Sequence, residues 1–243
     1  MKILAATNNK HKVEEFRNIL KDTGVRIISQ KELGKELPDI PEDGGTFEEN
    51  AEIKALGFAK FTDLTVIADD SGLEIRALDG APGIYSARYA ETNDKRIERV
   101  LRELEEVNRR IGESAVAKKF TCLWQRLRRP GLCRTQTENR RSNSGNLNKI
   151  DNWQSAIEND SDRAARFVCV IALASPEKVI ATFRGEVYGR IGYEPKGSGG
   201  FGYDPVFIPD GYDRTFAELG ADIKDKISHR ANALKKLDAY LKL

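Results

Sequence analysis

Apolar and polar positions along this chain fall into blocks whose period changes, and the changes predict an α/β fold. Lys2 to Ala6 is a short apolar run ending in the polar cluster Thr7 to Lys12, after which Val13, Phe16, Ile19 and Leu20 recur at helical spacing. Strand, loop, helix is the reading. Val25, Ile27 and Ile28 predict a second strand. Leu33 to Gly45, punctuated by Pro38, Pro41, Gly44 and Gly45, predicts an exposed acidic connection. Thr46 predicts a helix cap with Glu49 as third helical residue, and Phe47, Ala51, Ala55 and Phe58 mark an apolar face to about Phe61. Val66-Ile67-Ala68 predicts a buried strand that stops at Asp69-Asp70-Ser71-Gly72, with Leu73-Glu74-Ile75 alternating beyond it. Asn93 or Asp94 starts a helix carrying Ile97, Val100, Leu101 and Leu104. Ala165 to Leu173 predicts another buried strand, with Val179 to Val187 as its hairpin partner across Ser175 to Lys178. A glycine-rich segment, Lys196 to Pro205, precedes apolar Val206 to Ile208 and a helical turn near Phe216 to Leu219. The last helix places Ile227, Ala231, Leu234, Leu237 and Leu241 on one side.

Between Asn108 and Arg163 the apolar period is lost. Arg109 to Arg163 carries 12 Lys+Arg against 6 Asp+Glu, holds both tryptophans (Trp124 and Trp153), and predicts a basic insertion, partly disordered or loosely helical, in one domain spanning residues 1–243. The basicity is local. Over the whole chain 40 Lys+Arg face 38 Asp+Glu, a net charge of +2, so no global field points to nucleic acid. No nucleic-acid partner is expected, the insertion being the one place where RNA or a protein partner would bind. Apolar runs such as Phe167 to Ala174 fall far short of the ~20 residues that span a bilayer, and no apolar leader follows Met1-Lys2, so no membrane is expected and the location reads as cytoplasmic. The three cysteines form no C-x-x-C pair, and two histidines leave little room for a histidine-rich metal site.

Four segments carry candidate chemistry. Thr7 to Lys12 leaves a strand and opens a helix, where free N–H groups and the positive end of the macrodipole meet an anion; the plainer reading has Asn8 and Asn9 capping the helix with Lys10 and Lys12 in water. Asp69 and Asp70 follow an apolar strand, and adjacent strand residues face opposite sides, so the two carboxylates need not share one role. One suits Mg²⁺ and the other a water, with Glu42 a second candidate ligand; a turn whose carboxylate caps backbone groups is the alternative. In Gly197 to Tyr203, four glycines among seven residues let a ligand approach the main chain, Phe201 and Tyr203 offer stacking faces, and Asp204 offers a carboxylate to a base edge. Lys224, Ser228, His229 and Arg230 gather at the last helix, where phosphate or carbonyl recognition competes with a packed core histidine.

Taken together, ATNNKHKVEE (Ala6 to Glu15), EDGGTFEENAEIKA (Glu42 to Ala55), ADDSGLEI (Ala68 to Ile75), GAPGIYSARYA (Gly80 to Ala90), ARFVCVIALA (Ala165 to Ala174), GSGGFGYDPVF (Gly197 to Phe207) and KDKISHRANAL (Lys224 to Leu234) resemble the inosine triphosphate (dITP/XTP) pyrophosphatase family, in that family's order. The resemblance implies an α/β fold with an elongated mixed sheet flanked by helices, two lobes around a central nucleotide cleft, and a homodimer. It implies hydrolysis of ITP, dITP and XTP to the monophosphate and pyrophosphate with Mg²⁺. Carried over by position, Asp70 would be the general base, with Asp69, Asp70 and Glu42 at the metal. Thr7, Asn8, Asn9, Lys10, His11 and Lys12 would grip the triphosphate, and Lys54 and Ser71 would contact substrate. Phe201, Gly202, Tyr203, Asp204, Lys224, His229 and Arg230 would surround the purine and the adjoining phosphate, with Arg230 as donor to the 6-oxo group. None of these lies between Arg109 and Arg163. Because loop-closure entropy grows only as (3/2)RT ln n, that stretch reads as a surface excursion. Replacing Arg110 to Asp160 by a short Gly/Ser bridge is therefore expected to preserve both the melting transition and the activity; loss of either would refute the surface reading.

Overall fold

The computed structural model describes residues 2–34, 37–128 and 163–243; the side chains of His11 and of residues 111–128 also lie outside the description. Six strands form one mixed sheet in the order β2-β1-β3-β4-β5-β6. β1 (Lys2–Ala5) runs parallel to β2 (Arg26–Ser29) and to β3 (Thr65–Ile75), the chain crossing between them through helices α1 (Lys10–Leu20) and α3 (Phe47–Thr62). From β3 the sheet turns antiparallel through β4 (Ala164–Ala174), β5 (Val179–Ile191) and β6 (Phe207–Pro209). The expected α/β class and mixed, helix-flanked sheet are present.

Alternation along the strands sorts the core. Ile67, Cys169 and Ile171 pack under α1 and α7 (His229–Leu241) with Phe16, Leu234 and Leu237. Ala68, Val168, Val170 and Ala172 pack on the other face under α3, against Phe47, Ala51, Ala55 and Phe58. A third cluster, built from Phe167, Phe207 and Phe216 with Val100 and Leu104 of α4 (Asn93–Arg128), covers the far end of the long strands. The Thr46 side chain accepts the Glu49 N–H at 3.1 Å, so α3 starts where the sequence places it.

Three sequence expectations change. β3 does not stop at the carboxylate pair: Thr65–Ile75 is one strand, because β4 offers an unbroken antiparallel partner from Val66↔Ala174 to Ile75↔Ala165. The last helix is two helices, α6 (Ala221–Ile227) and α7; Ser228 is extended and caps α7 through the Ala231 N–H at 3.2 Å, so it is not a helical neighbour of Lys224. α4 runs without a break across the boundary expected near residue 109 to Arg128, while residues 129–162, most of the expected insertion, lie outside the description. The short helices α2 (Gln30–Leu33) and α5 (Phe216–Leu219), each closed by a capping box, complete the set.

α7 lies directly on β5 because Gly185 has no side chain. A Cβ there would stand 2.1 Å from the His229 carbonyl and 2.3 Å from the Ala233 nitrogen, both backbone atoms that cannot yield. Gly185→Ala is expected to destabilise by about 1–3 kcal/mol, the usual range for overpacking, read from the urea midpoint. An unchanged midpoint would mean that α7 does not need this approach.

Candidate active site

The parallel pairing of β1 with β3 covers only Thr65 to Ile67. Beyond Ile67 one edge of β3 has no strand beside it, and the β1–α1 loop turns away at that point. The crevice so formed lies outside the carboxyl end of β1, where α/β folds place their ligands. Side chains take over the exposed edge. Lys54 Nζ donates to the Asp69 carbonyl at 2.9 Å, Asp70 Oδ1 accepts the Ser71 N–H at 2.9 Å, and Ser86 Oγ accepts the Leu73 N–H at 2.8 Å.

Asp69 and Asp70 leave this strand on opposite faces. Asp69, 1% exposed, points toward α1 and α7, where its Oδ2 accepts from Lys12 Nζ (2.9 Å), Arg230 Nε (3.3 Å) and Ser71 Oγ (3.0 Å). Burial alone would raise its pKa, yet the charges of Lys12, Arg230 and Lys54 hold it well below the usual carboxylate range. Its Oδ1 has no bond partner among the described residues. Asp70 points toward α3. Its pKa is raised to about 6, first by burial and then by the Glu42 and Asp69 charges, against the Asn50 hydrogen bond and Lys54. Glu42 pairs with Lys54 at 2.8 Å, so loop 37–46 leans over the same face.

The purine side of the expected site meets this centre through one residue. Arg230, 2% exposed, bonds Glu15 through Nη1 at 2.8 Å and Asp69 through Nε at 3.3 Å, and its guanidinium lies 5.8 Å from the centre of the Phe201 ring. The Lys224 ammonium sits 4.2 Å from that ring and forms a buried ion pair with Asp204. Asp204 also accepts the Phe201 N–H at 2.7 Å, which fastens the glycine-rich turn around it. Gly200 is required there: its φ is +74°, and a Cβ would fall 2.1 Å from Asp204 Oδ2. Phe201 itself is partly exposed.

Other expectations are redistributed. Tyr203 is not a stacking face: it is 4% exposed in the third core cluster, and its hydroxyl donates to the Ser86 carbonyl at 3.0 Å. Asp204 holds Lys224 and the Phe201 N–H, so its carboxylate shapes the turn. His229 is buried, stacked on Phe167 at 4.8 Å, with Nδ1 unbonded among the described residues. Burial, then the Arg230 and Lys224 charges, hold its pKa well below the ordinary histidine value. Thr7 Oγ1 accepts the Asn9 N–H at 3.2 Å within the loop, Asn8 and Lys10 are exposed, and the His11 side chain lies outside the description. Among the described residues no three acidic, histidine or cysteine side chains converge as a metal cage.

Sequence reasoning missed Glu15 and Asn50. Glu15 lies one helical turn beyond Lys12, and Asn50 occupies a core-face position of α3 between Phe47 and Lys54, where a polar residue needs a partner.

A mixed α/β sheet with a charged crevice at the free edge of a central strand defines the class. The chain belongs to the Ham1 family, whose model matches residues 3–134 and 128–240. The dITP/XTP pyrophosphatase of Oceanobacillus iheyensis is 40% identical over 243 residues, covering 99% of this chain and 98% of its own. That of Bacillus subtilis is 39% identical over 238 residues, covering 98% and 96%. Among solved structures, a HAM1 protein from Coxiella burnetii superposes with a TM-score of 0.72 at 36% identity over 99% of this chain and 98% of that one. The Staphylococcus aureus Ham1 protein gives 0.70 at 36% identity, covering 100% and 98%.

The buried histidine has a measurable signature. With its folded pKa below the ordinary value near 6.5, His229 favours folding fully above that value, and the contribution falls as pH drops below it. Relative to His229→Phe, the wild type should lose up to about 1.4 kcal/mol per pH unit between pH 6.5 and 5 in urea unfolding. Parallel curves for the two proteins would show that His229 titrates normally.

Proposed function

We propose that this protein hydrolyses non-standard purine nucleoside triphosphates (dITP, XTP and ITP) to the monophosphate and pyrophosphate. The observation that carries the reading is Arg230. One guanidinium bonds Asp69 of β3 at 3.3 Å and lies 5.8 Å from the centre of the Phe201 ring, which supports the phosphate and base ends of a single nucleotide sharing one crevice. The activity named for the relatives supports the same reading.

In this scheme the Thr7 to Lys12 loop and the start of α1 receive the triphosphate, with the Lys12 ammonium as a point charge beside it. Asp70 takes a proton from the water that attacks the α-phosphorus, and its carboxylate is already oriented by Asn50 and by the Ser71 N–H. Lys54 stands between the Asp69 carbonyl and Glu42, close to the same centre. Asp69 anchors Lys12 and Arg230 instead of reacting. Pyrophosphate leaves with several negative charges, which the crevice cations offset.

The side chains present fit a divalent cation. The charge of Glu42 acts on Asp70 from the same face of β3, and Mg²⁺ takes one or two carboxylates with phosphates and waters as remaining ligands. Glu42 and Asp70 would hold the ion. When bound, it supplies charge neutralisation for the phosphate oxygens and the departing pyrophosphate. Magnesium as the ion, a homodimer as the assembly and the cytoplasm as the location follow from the family resemblance and belong to the same proposal. No nucleic-acid partner is part of it, and among the described residues no helix is long and apolar enough to cross a membrane.

Selectivity falls to donors that face the 6-oxo group. Arg230 bonds Asp69 through Nε and Glu15 through Nη1, and its Nη2 is the candidate donor; adenine would set its amino group against it, at about 1–3 kcal/mol or up to about 100-fold. The test is pyrophosphate release from dITP, XTP, ITP, GTP and ATP with Mg²⁺ and with EDTA, repeated on Asp70→Asn. Release is expected from the first three only and with Mg²⁺ only, falling by about 10²–10⁴-fold in Asp70→Asn. Equal turnover of ATP and ITP would remove the selectivity, and full activity of Asp70→Asn would remove the base.

A further inference from the structure

A strand carboxylate has two free torsions, and a general base must keep one oxygen aimed at the water it activates. On the reading of Asp70 given above, what fixes those torsions matters. The Ser71 N–H holds Oδ1 from the next residue, a local bond that leaves Oδ2 free to swing. The second constraint comes from α3. Asn50 is 1% exposed, its Nδ2 donates to Asp70 Oδ2 at 3.1 Å, and its Oδ1 accepts the Gly44 N–H at 2.9 Å. The amide orientation is fixed by its neighbours, since a backbone N–H can only be met by oxygen and a carboxylate only by the NH₂ group. Gly44 lies two residues past Glu42, and a methyl there would stand 2.7 Å from Glu49 Cβ and 2.9 Å from Asn50 Oδ1. The loop bearing Glu42 therefore lies tight against the asparagine that holds the base.

We infer that Asn50 is a positioning residue: it locks the Asp70 carboxylate and sets the loop carrying Glu42 at a fixed distance from it. Its role is to hold reacting geometry, with no contact to substrate. Loss of that lock should lower turnover and leave nucleotide affinity alone, because the grip on triphosphate and base belongs to Lys12, Phe201 and Arg230.

Steady-state pyrophosphate release from dITP with Mg²⁺, on wild type, Asn50→Ala and Asn50→Asp, reads this directly. Both variants are expected to lose about 10²-fold in kcat, the usual consequence of a misplaced reacting group, with KM within about threefold of wild type. Asn50→Asp keeps the shape and the acceptor for the Gly44 N–H, so it remains decisive if Asn50→Ala fails to fold. A folded Asn50→Asp with kcat within about threefold of wild type, or a loss confined to KM, would overturn the proposal. A thermal-unfolding cycle over Asn50→Ala, Asp70→Ala and the double variant needs no turnover. Single shifts in Tm that exceed the double variant's when summed are expected, and simple additivity would overturn the coupling. Should the wild type release no pyrophosphate while the cycle shows coupling, the assignment of Asp70 as base falls and the Asn50–Asp70 lock stands.

Discussion

The buried carboxylate of Asp69 is the constraint on which the remaining arrangement depends. It is 1% exposed, and its Oδ2 gathers Lys12 from the start of α1, Arg230 from the start of α7 and Ser71 from its own strand. Three segments far apart in sequence are therefore registered on one oxygen. An isolated charge at that depth would be expelled or neutralised, so its persistence requires the cations, and theirs requires it. Arg230 would face the same problem alone; Glu15 supplies its second anion. Removing one member of such a buried network leaves the others uncompensated, typically at about 3–5 kcal/mol. The network is thus the geometric datum of the crevice as well as part of its charge.

Around that datum the open edge of β3 makes the crevice. A strand interior to a sheet normally spends its N–H and C=O groups on both neighbours, but β1 ends at Ala5 while β3 runs on to Ile75. The uncovered groups are met by Lys54, Asp70 and Ser86, each drawn from a different element. Ser86 carries the constraint further, since its carbonyl accepts the Tyr203 hydroxyl at 3.0 Å and so ties the glycine-rich turn to the same edge. A backbone requirement at one strand therefore places both the Asp70 face and the aromatic face.

Much of this was legible from residue pattern. The strand–loop–helix opening, the Thr46 cap and the β4–β5 hairpin follow from periodicity and capping residues, while the gathering of Lys12, Asp69, Phe201 and Arg230 is what the family resemblance of the seven ordered motifs implies. Where reading failed, the decisive partner was distant in sequence. The D-D-S-G segment has turn chemistry, yet β4 contributes ladder bonds across ~100 residues of chain, and tertiary pairing overrides local preference. Tyr203 has the composition of a stacking face, but whether an aromatic ring faces a ligand or the core depends on what packs above it, here Ser86. Ser228 sits in an unbroken helical pattern and still breaks the helix, because its hydroxyl caps α7. Asn50 passed unnoticed, because a polar residue on an apolar helix stripe becomes meaningful only once Asp70 is placed beside it.

The adjacent aspartates show how one residue type takes two roles at neighbouring positions. Strand geometry sends Asp69 into a cluster of cations and Asp70 toward an amide, a backbone N–H and another carboxylate. The first environment fixes a negative charge and makes proton uptake unfavourable; the second buries a carboxylate and sets it beside negative neighbours, so its affinity for protons is raised. Such environments push the proton affinities of two like groups apart. Exchanging their roles would require exchanging the faces of β3, and the pleat forbids that without moving every other residue of the strand to the wrong core.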